Sequence, residues 1–288
     1  MYPTLGTIPI VGVELRSHQL MRWSYFLVAV LLTTYLNSRQ GIRSQQTVGP
    51  FLVGIPAALI GGHLLNVFEA WPFYRAQPSR VLDVLAGGNS IYGALVFGIG
   101  TGVGYLWLQR LPLRAFLDGA APAMALGEAM TRIGCFLNGC CFGRPTDAVM
   151  GVTFPHGSQV FIAHATAGLI ALSSPRSLPV HPTQLYSAAI ASVLFLLLLW
   201  LFVKGRHFPG ALFCLFLVGY GLQRLVVGQW RADTVLYWWE VSQPLSVAMV
   251  VVGMVLWGIW RRRLVEAAGG LHKSLPARTA GTQDVSDR

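Results

Sequence analysis

The fold is decided by the run Leu194-Phe195-Leu196-Leu197-Leu198-Leu199-Trp200. It lies in an uncharged stretch at about 183–203, and about 20 apolar residues are enough for a helix to cross roughly 30 Å of hydrocarbon. Outward from this run, six further apolar stretches predict spans at about 22–37, 49–70, 90–108, 116–137, 209–227 and 241–260. The sequence therefore predicts an all-α membrane protein, a bundle of seven transmembrane helices with small extramembrane loops on the outer face.

The composition supports a membrane protein. Hydrophobic residues make up 54% of the 288 positions and charged residues only 11%, whereas an average soluble domain is about 25% charged. A soluble surface needs charged side chains, whereas lipid-facing surface does not tolerate them. The scarcity of charged residues therefore argues for a membrane protein and against a soluble domain. Residues 1–266 are interpreted as one membrane domain, and 267–288 as a polar, disordered tail. The apolar segment at about 160–172 is too short for a span and is read as re-entrant or interfacial.

Basic residues set the predicted orientation. With the N-terminus outside, the inner connections hold Arg39, Arg43, Arg110, Arg114, Lys204, Arg206, Arg261, Arg262 and Arg263. The positive-inside rule then predicts a multi-pass protein of the cell inner membrane with a cytoplasmic C-terminus. The arginines are scattered along the chain, so the net charge of +10 indicates membrane anchoring, and no nucleic-acid partner is expected.

The predicted fourth span is unusually polar for a membrane helix. It carries Asp118, Glu128, Thr131, Arg132 and Asn138, and ionisable groups at membrane depth are costly unless paired or hydrated. Glu128 and Arg132 are four residues apart, so they share a helix face and can pair. One interpretation is a structural salt bridge. The other is a polar cavity where Arg132 meets an anion, since a planar guanidinium suits a phosphate.

Four further elements carry possible chemistry. The first, Gly87-Gly88-Asn89-Ser90-Ile91-Tyr92-Gly93-Ala94, suits either a ligand-binding turn before a helix or a packing seam of small residues. Further along that helix, Gly98, Gly100, Gly102 and Gly104 favour the packing interpretation. The others are Arg132-Ile133-Gly134-Cys135-Phe136-Leu137-Asn138-Gly139-Cys140-Cys141-Phe142-Gly143-Arg144, then His181-Pro182-Thr183-Gln184-Leu185-Tyr186, and Gln229-Trp230-Arg231-Ala232-Asp233.

These elements resemble, in the same order, those of the prolipoprotein diacylglyceryl transferase family. The long signature of that family reads approximately Gly-Arg-x-Gly-Asn-Phe-x-Asn-Gly-Glu-x-x-Gly-Arg. It is matched at Arg132, Gly134, Phe136, Asn138, Gly139, Gly143 and Arg144. The Gly-Gly-x-Ser-x-His-Gly-Gly element is matched at Gly87, Gly88, Ser90 and Gly93. The His-Pro-Ser-Gln-Leu-Tyr element is matched almost completely at 181–186, and the Phe-Phe-Arg-x-Pro-Asp element is echoed by Trp230, Arg231 and Asp233.

The resemblance implies transfer of a diacylglyceryl group from phosphatidylglycerol to the lipobox cysteine of a prolipoprotein signal peptide, at the bilayer surface and without a metal or other cofactor. It implies that Arg132 and Arg231 bind the lipid headgroup. The other implied substrate-binding residues are Asn138, Gly139, Gly143, Gly87 and Gly88, with Glu128 and Gln184 supporting them.

The chain departs from the family pattern at the reaction centre. The family histidine of the glycine element is Tyr92 here, a poor general base at neutral pH because its unperturbed pKa is about 10. The predicted catalytic residues are therefore Tyr92, Arg231 and His18, whose unperturbed pKa near 6.5 suits proton transfer. The signature asparagine and glutamate are Cys135 and Cys140, and a later glutamate is Gly228.

The cysteines leave other interpretations open. Cys135, Cys140 and Cys141 lie within seven residues, a spacing that matches no zinc pattern, so no metal is predicted. Three interpretations of these cysteines are open: they pack as small residues, Cys135 and Cys140 form a disulfide, or they are reactive thiols of a membrane redox protein. A lipid-binding or transport protein is the remaining alternative. The transferase interpretation requires Arg132, Arg231, Tyr92 and residues 138–143 to converge on one lipid-accessible cavity near the outer leaflet.

Overall fold

The protein is a helical bundle. The computed structural model describes residues 4–8, 13–84, 90–232 and 242–274. Within them, the helices are α1 (Ser17–Arg39), α2 (Ser44–Glu69), α3 (Trp71–Ala76), a 3-10 helix (Pro78–Leu82), α4 (Ile91–Leu108), α5 (Leu113–Asn138), α6 (Gln159–Thr166), α7 (Thr183–Lys204), α8 (Ala211–Gly228) and α9 (Gln243–Ser274). The helical class predicted from the sequence is confirmed. Two short strands were not predicted, β1 (Thr4–Ile8) and β2 (Val13–Arg16), which pair antiparallel before α1.

In the described part of the chain, four helices are long and apolar enough to cross a membrane, namely α2, α7, α8 and the part of α9 at Gln243–Glu266. Helix α4 is a shorter apolar helix at Tyr92–Leu108, and α1 and α5 occupy the positions of the other two predicted spans. Seven spans remain a prediction. Helix α9 continues to Ser274, into the segment predicted as a polar tail, and residues 275–288 lie outside the described part of the chain.

Small residues bring α2 and α4 into close antiparallel contact. A Cβ added at Gly93 would collide with the carbonyl oxygen of Gly61, and one at Gly98 would lie 2.9 Å from Ala58 Cβ. The predicted seam at positions 98–104 is therefore correct only in part, because Gly100 and Gly104 face open space. The helices pair through glycines on both partners, which permits backbone approach.

The second group of helices is α1, α5, α7, α8 and α9. Helix α5 lies between α1 and α7, and α9 packs along α8. A core of small and large apolar residues forms where α5, α7 and α8 meet: Ala121, Ala125, Leu198, Leu212 and Phe216. Side chains that point outward are apolar, as in Leu52, Phe68 and Leu196, which suits a lipid-facing surface.

Asp118 holds two helices together at one end of the bundle. Its fully buried carboxylate accepts backbone hydrogen bonds from Gly210 at 2.6 Å, Leu212 at 2.9 Å and Phe213 at 3.1 Å. These amides begin α8 and would otherwise lack partners, and a negative charge is favourable at a helix N-terminus. One of the charges in the polar fourth span is therefore structural.

The opposite end of the bundle, here called the motif face, carries the sequence elements singled out above. Short connections at 109–112 and 205–210 make α4 antiparallel to α5 and α7 antiparallel to α8. The first turns of α4 and α7 therefore share this face with the last turns of α5 and α8. Residues 139–182 cover it, with a core of Phe154, Val160 and Val180. The apolar segment at 160–172 begins in α6, whose Val160 and Phe161 are buried against this layer.

Candidate active site at the motif face

Three separate parts of the chain are joined by main-chain hydrogen bonds at the motif face. The Gly143 amide donates to the His181 carbonyl at 2.9 Å, and the Arg144 amide donates to the Trp230 carbonyl at 2.8 Å. Gly143 and Arg231 form an antiparallel bridge. We call this arrangement of residues 140–145, 180–184 and 230–232 the junction. It brings together three of the four elements that carry the resemblance.

Local backbone geometry explains why the sequence forms the junction. Helix α5 ends because Gly139 adopts a left-handed conformation with φ of +72°, and Cys141 follows with φ of +59°. A Cβ at Gly143 would lie 2.6 Å from the His181 carbonyl oxygen and 2.7 Å from that of Trp230. Glycine is therefore required at position 143 by the close approach of two other backbone segments.

The first turn of α7 closes the junction from the other side. The Thr183 hydroxyl donates to the Cys141 carbonyl at 2.9 Å, and the Gln184 amide nitrogen donates to the Cys140 carbonyl at 2.8 Å. Gln184 is 1% exposed, and its Oε1 has no hydrogen-bond partner within the described structure. The predicted supporting role of Gln184 has a physical basis, since it positions the backbone of residues 140 and 141 and retains one buried acceptor.

Arginines from α5, α8 and the segment after α8 meet beside the junction. Arg132 Nε donates to Glu128 Oε1 at 2.7 Å, so the pair predicted from the sequence forms. Arg224 interacts electrostatically with Arg132, Arg231 and Glu128. Arg132 and Arg231 are both more than nine-tenths buried. We call Arg132, Arg224 and Arg231 the arginine cluster.

The arginine cluster brings three positive charges together. Arg132 and Arg224 both interact electrostatically with Glu128, and Arg224 also interacts with Arg231. Tyr220 also interacts electrostatically with Arg132. Guanidinium groups that are gathered at a buried site can bind an anionic group. The structural salt bridge and the anion site, which the sequence left as alternatives, are thus both compatible with Arg132.

Three thiols lie next to the arginine cluster. The sulfur atoms of Cys135, Cys140 and Cys141 all lie within 4.8 Å of one another, and all three cysteines are free. Hydrogen bonds from the other two thiols lower the pKa of Cys141, and the charges of Arg231 and Arg132 act in the same direction. The fourth cysteine, Cys214, is buried in α8 near Asp118, at the other end of the bundle.

A cavity of about 410 Å³ opens beside Cys141. Its wall includes Arg144, His164 and Ala232, so it reaches from the signature segment to the segment after α8. His164 is 4% exposed, and its Nδ1 has no hydrogen-bond partner within the described structure. Burial lowers the pKa of His164, which favours the neutral imidazole. No sequence pattern selects this histidine, because its proximity to Cys141 depends on the fold.

The remaining predicted site residues lie on other helices than the arginine cluster. Tyr92 is in the first turn of α4 and is 37% exposed, and Ser90 just before it donates to Glu69 at 3.0 Å. Helix α4 packs mainly on α2 and meets α5 at few positions. His18 lies in the first turn of α1, at the motif face. Gly87 and Gly88 lie outside the described residues.

Sequence reasoning selected Arg132, Arg231, Asn138, Gly139 and Gly143, and the structure places them all at or beside the junction. It did not select Arg224 or Tyr220 for the site. A signal was present, because Arg224 is a charge inside an apolar span and lies four residues after Tyr220.

Comparison with known proteins identifies the family of this chain. The family model described as "Prolipoprotein diacylglyceryl transferase" matches residues 6–259. Relatives named phosphatidylglycerol–prolipoprotein diacylglyceryl transferase include one from Shewanella oneidensis, 33% identical over 82% of this chain and 87% of the relative. Another, from Clostridium tetani, is 28% identical over 88% of this chain and 96% of the relative. A third, from Parasynechococcus marenigrum, is 30% identical over 84% and 91%. This chain therefore belongs to the prolipoprotein diacylglyceryl transferase family.

Proposed function

We propose that this protein transfers a diacylglyceryl group from phosphatidylglycerol to the thiol of a lipobox cysteine in a prolipoprotein signal peptide. The observation that carries the proposal is the arginine cluster beside the junction, where Arg132 and Arg231 are both buried and Glu128 forms a salt bridge with Arg132. The family membership and the names of the relatives agree with this activity.

The reaction needs a positively charged site. The acceptor sulfur forms a bond to the terminal glycerol carbon of the diacylglyceryl group, and the bond from that carbon to the phosphate oxygen breaks. Glycerol phosphate leaves with the bonding electrons, and the thiol proton is passed to a base. Negative charge grows on the departing phosphate in the transition state, and guanidinium groups positioned beforehand stabilise it.

Arg132 and Arg231 are assigned to the phosphate, and Arg224 joins them because it lies in the same electrostatic cluster. Asn138 and the backbone from Gly139 to Gly143 shape the pocket at the end of α5. Gly87 and Gly88 would bind the substrate before α4. Glu128 orients Arg132 through the 2.7 Å contact.

Proton transfer is assigned to groups at the motif face. Tyr92 and His18 are the candidates from the sequence, and both lie in first turns of helices at this face. Tyr92 can donate a hydrogen bond to the phosphate or to the sulfur, although a tyrosine is a weak base near pH 7. His18 is the residue with the more suitable unperturbed pKa.

The proposed setting is a seven-span protein of the cell inner membrane, with the N-terminus outside and the C-terminus in the cytoplasm. Residues 1–266 form the membrane domain in this proposal, and 267–288 follow as a cytoplasmic segment. The alternating direction of the helices supports this orientation. It puts the motif elements at one end of the bundle, and with the N-terminus outside this end is the outer face, where the signal peptide and phosphatidylglycerol would meet. The outward apolar side chains of α2 and α7 support contact with the bilayer.

The experiment is transfer by the purified protein in detergent, with acyl-labelled phosphatidylglycerol and a lipobox peptide. A peptide with serine in place of the cysteine is the substrate control. Arg132→Ala and Arg231→Ala should each reduce kcat/KM by about 100-fold or more, the loss expected when one charged donor to a transition-state oxygen is removed. Arg39→Ala is the matched control, since Arg39 is exposed at the opposite end of the bundle.

The outcomes separate function from folding. Label on the cysteine peptide alone, with both cluster variants impaired and Arg39→Ala unaffected, supports the proposal. Absence of transfer from a monodisperse wild-type protein that still binds phosphatidylglycerol would contradict it and favour a lipid-binding protein.

A further inference from the structure

The three clustered thiols have no role in the proposed transfer. Cys135 lies in the last turn of α5, and the left-handed residues Gly139 and Cys141 turn the chain back so that Cys140 and Cys141 return to it. The Cys140 amide and the Cys140 thiol both point to the Cys135 carbonyl, at 3.1 Å and 3.7 Å. The backbone therefore fixes three sulfur atoms within 4.8 Å of one another.

We propose that Cys135, Cys140 and Cys141 form a three-thiolate site for a thiophilic d10 cation, zinc(II) or copper(I). Sulfur atoms bound to one zinc ion at about 2.3 Å are about 3.8 Å apart in a tetrahedral arrangement. The observed triangle reaches that size through side-chain adjustments of about 1 Å. Thiolate ligands select these soft cations over magnesium or calcium.

The surroundings supply the charge that such a site needs. Three thiolates with zinc(II) carry a net charge of −1, and with copper(I) a net charge of −2. Arg132 and Arg231 both lie within electrostatic range of Cys141, so their positive charges compensate either complex. A buried ionic group is tolerated only when its charge is paired in this way.

An ion can reach the site. Cys135 is buried, but Cys140 and Cys141 are only partly buried, and Cys141 forms part of the wall of the 410 Å³ cavity. The spacing along the chain argued against a metal because it lacks a second ligand pair. That argument does not apply to a site whose three ligands come from one helix end, which leaves a fourth zinc position open to an outside ligand.

A disulfide is the main competing state. Bonding between neighbours Cys140 and Cys141 would be strained. Bonding between Cys135 and Cys140 is compatible with their spacing but would need an oxidant and would leave Cys141 alone. Metal binding uses all three thiols, needs no oxidant, and releases the thiol protons to water.

The experiment measures metal directly and does not depend on the transfer assay. The full chain is purified in detergent without chelators, reduced, exposed to a small excess of zinc(II) or, anaerobically, copper(I), and desalted. Metal per chain is then measured by mass spectrometry, and the number of thiols that react with a maleimide is counted before and after chelation. Variants are Cys135→Ser, Cys140→Ser and Cys141→Ser.

Cys214→Ser is the matched control, since Cys214 is buried far from the other three. The expected result is about one zinc or copper ion per chain in the wild type and in Cys214→Ser, with three thiols protected until chelation. Each of the other variants should retain less than about one-tenth as much metal. The ion retained after competition between the two metals distinguishes zinc from copper. Thermal unfolding of each variant checks that metal is not lost through misfolding.

Two results would overturn the proposal. One is a folded wild-type chain that retains no metal, including the case in which it is lighter by a pair of hydrogens because a disulfide has formed. The other is metal retained equally by the wild type and all four variants, which would place the ion elsewhere. Either result can occur with or without phosphatidylglycerol transfer, so failure of this inference and failure of the proposed function are distinguishable.

Discussion

Replacement of Gly143 by alanine tests whether the junction builds the site. The added Cβ would lie 2.6 Å from the His181 carbonyl oxygen and 2.7 Å from that of Trp230, where ordinary contact begins near 3.4 Å. The two oxygens belong to different segments, so a shift away from one does not relieve the other. We expect the segments to separate, with loss of the hydrogen bonds at 2.9 Å and 2.8 Å.

The magnitude follows from these contacts. Overpacking of this kind costs about 1–3 kcal/mol, and each lost hydrogen bond costs about 1 kcal/mol. The total is about 4 kcal/mol, equivalent to a melting midpoint lowered by about 10 °C for a chain of this size. Activity should fall further than stability, because Arg231 is carried by the displaced segment.

The assay is thermal unfolding in detergent, together with lipid transfer measured well below the midpoint. Gly100→Ala is the control, since a Cβ there meets no atom within 4 Å and α4 should accept alanine without loss. An unchanged midpoint and unchanged transfer in Gly143→Ala would refute the conclusion that the junction requires glycine. Equal losses in both variants would point to a general effect of alanine in this bundle.

Further predictions concern proton transfer and the end of the bundle opposite the motif face. Tyr92→Phe should slow transfer at least about tenfold in a protein that still folds if the hydroxyl handles a proton or bonds the substrate, and an unchanged rate assigns Tyr92 to packing. Asp118→Asn should reduce the free energy of unfolding by about 2 kcal/mol, because three backbone donors lose a charged acceptor. Asp147→Asn, at an exposed position, should change it by less than about 0.5 kcal/mol, and equal effects would contradict the assignment. The Asp118 carboxylate, 3.6 Å from His207 Nδ1, raises the pKa of His207 in the folded state. The stabilisation is therefore complete below the unfolded value of about 6.5 and is lost as pH rises through the raised value. The melting midpoint should fall over that range in the wild type, and His207→Gln should remove most of this dependence.

The sequence predicts the helices well because their signal is local. The predicted span at 183–203 corresponds to α7 (Thr183–Lys204), and that at 90–108 to α4 (Ile91–Leu108). Apolar length, Pro182 before α7 and glycines at helix ends are sufficient for this. The β1–β2 pair was missed because its strands are too short to show a clear alternation.

The site was predicted only in part because it depends on contacts across the chain. Motif order identified Arg132 and Arg231, and the junction explains why they are neighbours. The contribution of Arg224 depends on which face of α8 turns inward. Convergence of Tyr92 with the arginines stays a prediction, because α4 packs chiefly on α2. The thiol triangle depends on two left-handed residues, and cysteine spacing alone gives no indication of them.

The junction also bears on how the protein is made. Arg144 and Arg231, which are linked by a hydrogen bond from Arg144 Nε to the Arg231 carbonyl, are 87 residues apart, and α7 and α8 lie between them. A ribosome that has released α5 has delivered Arg132 but neither Arg224 nor Arg231. If the proposed function is correct, the growing chain enters the bilayer with an incomplete phosphate site, and the three arginines come together only after α8 has emerged. Translation order would then postpone reaction with phosphatidylglycerol until most of the bundle has been synthesised.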